Sequence, residues 1–126
     1  MKSKVYLAGG MRSGWQSDLQ SLNLDFIDPT DKEPERNLSL NEYGSWDLHY
    51  VKNCDIVFAY MEKDNPAGTG MAVEIGYAKG LGKTVILCLE ENNQHINDRY
   101  LAFMKTVADI TFKDFQEAVN YLKLFK

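Results

Sequence analysis

The sequence predicts a doubly wound α/β domain, with helices on both faces of a five-stranded, mainly parallel sheet of order 2-1-3-4-5. Short apolar runs rich in β-branched residues alternate with helical patterns, and this alternation recurs along all 126 residues. The three strongest runs are apolar at nearly every position, which is typical of strands buried on both faces of a parallel sheet. The length suits one domain over residues 1–126.

The predicted strands and helices alternate in order along the chain. Strong strands are predicted at 4–8, 55–60 and 84–89, and weaker ones at 25–27 and 108–112. Helices are predicted at 14–23, 39–53, 70–81, 97–105 and 114–125. The start of helix 39–53 is the best defined, because Ser39 and Glu42 have capping-box spacing. Ligands of such sheets bind beyond the carboxyl ends of the strands, so we expect the site there.

Composition argues against several classes of function. Fourteen Lys and Arg against 18 Asp and Glu give a net charge of −4, so a nucleic-acid polymer is not an expected partner. Apolar runs are too short for a membrane span or a signal peptide. His49 and His95 stand alone, so we expect no metal site. Cys54 and Cys88 lie in apolar stretches, which indicates buried reduced thiols and a cytoplasmic protein.

Glu74 is the one charged residue in the apolar helical segment 71–78. None of its neighbours one helical turn away is cationic, so no ion pair within the helix explains it. The helix follows a strand and a glycine-bearing loop, which would bring the carboxylate near the carboxyl end of that strand. A partly desolvated carboxylate there suits nucleophilic or acid–base chemistry. A structural glutamate, favoured by the helix dipole, is the alternative.

Asp47 is the single charge on one face of helix 39–53. The rest of that face consists of aromatic, aliphatic and small residues, namely Leu40, Tyr43, Gly44, Tyr50, Val51 and Cys54. A functional carboxylate is one interpretation of this pattern, and the structural alternative is an aspartate at the margin of the stripe. Asp55, at the start of a strand, is more typical of a structural residue at a strand end.

A glycine-rich loop follows the first strand. Gly9 and Gly10 offer backbone N–H groups and Arg12 a cation to an anionic or hydroxyl-rich ligand, although the loop matches no dinucleotide or Walker motif. Trp15 and Trp46 are candidates for stacking on a base, and the alternative for both is a place in the core.

Three segments of the chain carry a family resemblance. They are Val5–Gly9, then Trp46–Leu48 with Asp55–Val57 eight residues after the aspartate, and Gly68–Ala78. Together they resemble the nucleoside 2-deoxyribosyltransferase family and the related deoxynucleoside-monophosphate N-glycosidases. The resemblance covers about residues 4–90, and its most specific piece is Glu-Ile-Gly-Tyr-Ala at 74–78.

The resemblance implies a flavodoxin-like fold and a double displacement at the sugar C1′ that needs no cofactor or metal. Glu74 matches the nucleophile that forms a covalent 2-deoxyribosyl ester. Asp47 matches the carboxylate that exchanges protons with the leaving and incoming bases, and Tyr6 matches the tyrosine that orients the nucleophile. An oxocarbenium-like transition state requires such a pair of groups.

The predicted substrate-binding residues are in the glycine loops and the segment before Glu74, and they include the two tryptophans. They are Gly9, Gly10, Arg12, Trp15, Trp46, Asp64, Gly68 and Gly70. By the resemblance, Arg12 aligns with a phosphate-binding arginine, and Asp64 is the nearest counterpart of an acidic residue that contacts the sugar. Asn97 is a candidate for a residue supplied by a neighbouring subunit.

Three functions follow from these features. The first is base exchange between deoxynucleosides in purine and pyrimidine salvage, and the second is an N-glycosidase acting on deoxynucleosides or their 5′-monophosphates. The third is a non-catalytic nucleotide-binding module. Relatives complete their pockets with a neighbouring chain, and Trp46 and Leu48 widen the apolar face of helix 39–53. We therefore expect a homo-oligomer, a dimer or larger, with that helix at or near the interface.

Overall fold

The computed structural model describes residues 2–10, 13–29, 39–63, 69–90 and 98–125. Its five strands form one parallel sheet of order β2-β1-β3-β4-β5, so the predicted architecture is confirmed. The strands are β1 Lys4–Gly9, β2 Asp25–Ile27, β3 Ile56–Met61, β4 Thr84–Leu89 and β5 Ile110–Phe112. The helices are a 3₁₀ helix Trp15–Leu19, α1 Leu40–Asn53, α2 Thr69–Gly80, α3 Asp98–Val107 and α4 Phe115–Leu122.

Alternation along the strands divides the core into two layers. Tyr6, Ala8 and Val57 face helices α1, α2 and α3 on one side of the sheet. Val5 and Leu7 face the 3₁₀ helix and α4 on the other side. Because β1, β3 and β4 are covered on both faces, they are apolar at nearly every position, as the sequence predicted.

The helix after β1 is the element that differs most from its prediction. It is a 3₁₀ helix at Trp15–Leu19 rather than a helix over 14–23, and it starts after Gly14, which has a left-handed φ of 77°. The last helix is also shorter than predicted, beginning after Asp114, whose carboxylate accepts a hydrogen bond from the Glu117 amide, and ending at Leu122. Both differences concern helix length and leave the order of elements unchanged.

Aspartate carboxylates accept hydrogen bonds from backbone amides at the amino-terminal edge of the sheet. The Asp55 carboxylate accepts a 2.8 Å hydrogen bond from the Lys4 amide, which confirms its structural role at the start of β3. Asp109, just before β5, accepts a 2.7 Å bond from the Val85 amide and a second bond from the Lys79 ammonium group. These contacts join β3 to β1 and β5 to β4 at the edge opposite to the expected site.

Other sequence predictions concern the cysteines and the oligomer. Cys54 and Cys88 are free and buried, as predicted, and burial is the main cause that raises the pKa of the Cys54 thiol to about 11. Trp46 and Leu48 on α1 are partly buried within the single chain, and the homo-oligomer stays a prediction. Within the described ranges, no helix is long and apolar enough to cross a membrane.

Candidate active site

Tyr6 and Glu74 meet on the face of the sheet that α1 and α2 cover. Tyr6 is the third residue of β1 and points to this face, with its side chain only 1% exposed. Glu74 is the sixth residue of α2, beside Ile75 and one turn after Met71, both of which are buried in the same layer. The Tyr6 hydroxyl donates a hydrogen bond to Oε2 of Glu74. The sheet and the helix thus hold this carboxylate in a fixed position.

The surroundings of Glu74 disfavour its ionised form. Burial is the largest cause and raises the pKa of Glu74 to about 7, while the Tyr6 hydrogen bond lowers that pKa and the Asp47 charge raises it further. Near neutral pH both the carboxylate and the carboxylic acid of Glu74 are therefore present. A group that titrates there can act as a nucleophile or exchange protons within the same pH range.

Asp47 supplies a second carboxylate at this site. It lies in α1, which packs against α2, and its charge acts on Glu74. Burial raises the pKa of Asp47 as well, and within the described part of the chain its buried Oδ1 atom has no hydrogen-bond partner. Burial favours the protonated form of each carboxylate, and the charge of Asp47 further disfavours the ionisation of Glu74.

Aromatic rings of α1 pack against one another and against Tyr6. Trp46 packs edge-on against Tyr50 with ring centroids 5.4 Å apart, and Tyr50 in turn lies 6.5 Å from the ring of Tyr6. Trp46 also stacks on His49, at 5.8 Å. The structure therefore connects Trp46 to the Tyr6–Glu74 pair through Tyr50. The sequence stripe contained Tyr50, one turn after Asp47, but did not mark it as a site residue.

Trp15 does not join these residues. Its indole is 4% exposed and lies on the opposite face of the sheet, packed against the rings of Phe58, Tyr60 and Phe115. Its Nε1 donates a 2.9 Å hydrogen bond to the Gly10 carbonyl. The structure places Trp15 in the core, which was its alternative interpretation.

The predicted glycines differ in whether their positions have room for a side chain. Gly9 has a φ of 141°, and a Cβ there would lie 2.2 Å from the Tyr60 carbonyl oxygen, so close packing of β1 on β3 excludes any side chain. At Gly70, the second residue of α2, a Cβ would meet open space. The Gly10 carbonyl accepts hydrogen bonds from the side chains of Trp15 and Gln16.

Several predicted residues lie outside the described part of the chain, namely Arg12, Asp64, Gly68 and Asn97. Their roles stay predictions. Among the described residues, no group of three or more His, Cys, Asp or Glu side chains is arranged to hold a metal ion.

Solved structures with this fold are found among proteins of low sequence identity. The CMP N-glycosidase of Clostridium botulinum has a TM-score of 0.61 at 21% identity, covering 97% of this chain and 99% of its own. The 2-desoxiribosyltransferase from Leishmania mexicana has a TM-score of 0.61 at 17% identity, covering 97% of both chains. A conserved protein from Enterococcus faecalis V583 has a TM-score of 0.59 at 17% identity, covering 99% of this chain and 89% of its own. At these identities the likeness shows the fold.

Sequence comparison identifies the family. No curated protein matches the chain significantly. A family profile described as "Nucleoside 2-deoxyribosyltransferase like" matches residues 2–92, which is well over half of the chain and includes Tyr6, Asp47 and Glu74. The chain therefore belongs to the nucleoside 2-deoxyribosyltransferase-like family.

Proposed function

We propose that this protein transfers a 2-deoxyribosyl group between nucleobases by double displacement, with Glu74 as the nucleophile. The observation that carries the proposal is the buried Glu74 carboxylate, held by the Tyr6 hydroxyl and faced by a second desolvated carboxylate, Asp47. Membership of the nucleoside 2-deoxyribosyltransferase-like family supports the same reaction. Positive charge develops at C1′ in the oxocarbenium-like transition state, so the Glu74 carboxylate stabilises that charge while Asp47 supplies the proton that the base needs.

The first half-reaction breaks the bond between C1′ and the base. A carboxylate oxygen of ionised Glu74 attacks C1′, and the electron pair of the C1′–N bond leaves with the base. Protonated Asp47 gives its proton to that base, so a neutral base departs and Asp47 becomes a carboxylate. The raised pKa of Asp47 suits this role, because burial favours its protonated form.

The second half-reaction reverses these roles. The nitrogen of an incoming base attacks C1′ of the ester, its proton passes to the Asp47 carboxylate, and the ester bond breaks with its electron pair returning to Glu74. Tyr6 orients Glu74 in both steps. Since its hydrogen bond lowers the pKa of Glu74, it increases the fraction of Glu74 that is ionised near neutral pH.

Hydrolysis is the second candidate, and the likeness to the CMP N-glycosidase of Clostridium botulinum favours it. Water then takes the place of the incoming base, and the same Glu74, Asp47 and Tyr6 serve. Such an enzyme would act on a nucleoside or its 5′-monophosphate, and the predicted phosphate ligand is Arg12. The site chemistry differs from transfer only in the acceptor.

Chromatography of reaction mixtures tests the proposal. Purified protein is incubated with deoxyinosine, with and without adenine, and in parallel with deoxycytidine 5′-monophosphate and CMP. Deoxyadenosine that forms only when adenine is present supports transfer. Free sugar or sugar phosphate that forms regardless of adenine replaces transfer by hydrolysis. If Glu74→Gln reacts as fast as the unsubstituted protein, or if no substrate is converted, the proposal is contradicted.

A further inference from the structure

Tyr50 on α1 has its ring against the ring of Tyr6, the tyrosine that donates a hydrogen bond to Glu74. It lies three residues after Asp47 and is partly buried against the core layer that contains Tyr6. The two tyrosine rings have centroids 6.5 Å apart and planes inclined by 31°. Trp46, four residues before Tyr50, packs edge-on against it, with centroids 5.4 Å apart and planes inclined by 77°. Both separations are within the range in which aromatic rings attract each other.

The position of the Tyr6 hydroxyl depends on what packs against its ring. The hydroxyl lies at the end of a side chain with two rotatable torsions, and β1 fixes only its Cα and Cβ atoms. A small rotation about either torsion would move the oxygen away from Glu74, and the energy of a hydrogen bond falls steeply as its geometry worsens. Ring contacts from α1 therefore influence the bond between Tyr6 and Glu74.

We propose that Tyr50 is a positioning residue, whose ring, supported by Trp46, keeps the Tyr6 hydroxyl on the Glu74 carboxylate. For its effect on turnover this inference rests on the proposed function, whereas its effect on Glu74 is a property of the free protein. Because the Tyr6 hydrogen bond lowers the pKa of Glu74, loosening Tyr6 raises that pKa. Within the described part of the chain, the charged group that acts on Glu74 is Asp47 on α1, and it is unchanged when Tyr50 is substituted.

Three variants separate positioning from general packing. Tyr50→Leu removes the ring, Tyr50→Phe keeps the ring and removes only its hydroxyl, and Tyr121→Leu is the matched control. Tyr121 is also a partly buried tyrosine against another ring, that of Phe112 at 5.6 Å, but on the opposite face of the sheet. We expect kcat to fall about tenfold in Tyr50→Leu, as when one charge-assisted hydrogen bond is weakened, and to stay within about twofold in the other two.

A double-mutant cycle shows whether Tyr50 acts through Tyr6. In a Tyr6→Phe background there is no hydroxyl to position, so Tyr50→Leu should cause no further loss of kcat. An equal tenfold loss in both backgrounds would overturn the proposal, as would a Tyr50→Leu variant with unchanged kcat. If Tyr50→Leu does not fold, Tyr50→Met, which fills a similar volume without a ring, takes its place with the same expectations.

The pKa of Glu74 gives a readout independent of turnover. It is obtained from the pH dependence of the unfolding free energy, as the difference between each variant and the same variant carrying Glu74→Gln. We expect Tyr50→Leu to raise this pKa, with Tyr50→Phe and Tyr121→Leu unchanged. If the pKa rises but no substrate is converted, the positioning role holds and the proposed function fails. If substrate is converted but the pKa does not move, the positioning role is wrong.

Discussion

Asp109, at the amino-terminal edge of the sheet, and Glu74, on helix α2, are carboxylates with opposite surroundings. At the edge, burial would raise the pKa of Asp109, but bonds from Lys79 and the Val85 amide outweigh it and leave the pKa lowered. In the site, burial raises the pKa of Glu74 to about 7, and the Asp47 charge adds to that rise. The surroundings of Asp109 favour its ionised form, whereas those of Glu74 favour its protonated form.

This difference in pKa shift distinguishes a carboxylate that stabilises the fold when ionised from one that destabilises it. A rise from 4.5 to about 7 means that ionised Glu74 costs the folded state about 3 kcal/mol at pH 8. Because the folded pKa lies above the unfolded one, stability is full below about pH 4.5 and falls as the pH rises through about 7. Because ionised Glu74 destabilises the folded state, a structural role does not account for this residue. A catalytic role does.

The largest expected effect is on turnover by Glu74→Gln. The substitution keeps the shape of the side chain and removes the nucleophile, so we expect the rate to fall by about 10⁴-fold or more. Chromatographic product formation measures it. A rate within tenfold of the unsubstituted protein would remove Glu74 from the mechanism.

The same variant should be more stable than the original protein at alkaline pH. Since the amide never ionises, the unfolding free energy at pH 8 should rise by as much as about 3 kcal/mol, less the weakened bond to Tyr6. Denaturant unfolding at pH 8 and pH 4.5 measures the change. Equal effects at both pH values would show that Glu74 has an ordinary pKa in the folded protein.

Asp47→Asn should slow base release by about 10²–10⁴-fold, because the proton donor is lost while the shape is kept. The charge of Asp47 raises the pKa of Glu74, so its removal should move the acid limb of the pH–rate profile to lower pH. If the maximal rate and the pH of the acid limb both stay unchanged, Asp47 neither transfers protons nor affects the pKa of Glu74.

Tyr6→Phe should lower the rate less than Asp47→Asn does, and it should shift the pH–rate profile in the opposite direction. Loss of one hydrogen bond to a charged group lowers the rate by about 10–100-fold, and the acid limb should move to higher pH because that bond lowers the pKa of Glu74. The two shifts are measured side by side under the same buffers. A shift of Tyr6→Phe in the same direction as Asp47→Asn would contradict the assigned contacts.

Asp109→Asn should leave kcat unchanged and reduce stability by about 1 kcal/mol, since its bonds to the Val85 amide and to Lys79 are weakened. The folded pKa of Asp109 is lowered from 3.8, so its contribution is present above that pH and is lost as the pH falls through the folded value. Unfolding curves at pH 7 and pH 3 check this. Loss of turnover without loss of stability would mean that the two regions are not independent.

The sequence predicted the fold well because its signals are local. Strands buried on both faces are apolar throughout, and a capping box marks the start of α1. Glu74 and Asp47 were recognisable as single charges in apolar helical patterns. The bond between Tyr6 and Glu74 was expected only from the family resemblance, because 68 residues separate the two and no local pattern joins them.

The two tryptophans show what local patterns do not resolve. Trp15 and Trp46 both lie in helical segments, but the short helix that carries Trp15 packs on the opposite face of the sheet from the carboxylates. The crossover from one strand to the next decides which face of the sheet a helix covers. The indole of Trp15 therefore lies in the core of one face, whereas that of Trp46 lies on the face that carries the carboxylates. Tyr50 was similarly visible as part of a stripe, and only its contact with Tyr6 distinguishes it.

The most direct test of Glu74 as nucleophile is to capture the ester it forms. The protein is mixed with deoxyinosine at pH 8 without an acceptor base, quenched rapidly with acid, digested and analysed by mass spectrometry. We expect the mass of one 2-deoxyribosyl group on the peptide that contains Glu74, in the unsubstituted protein and in Asp109→Asn but not in Glu74→Gln. Turnover with no such adduct at any quench time, or an adduct on a different residue, would contradict the mechanism.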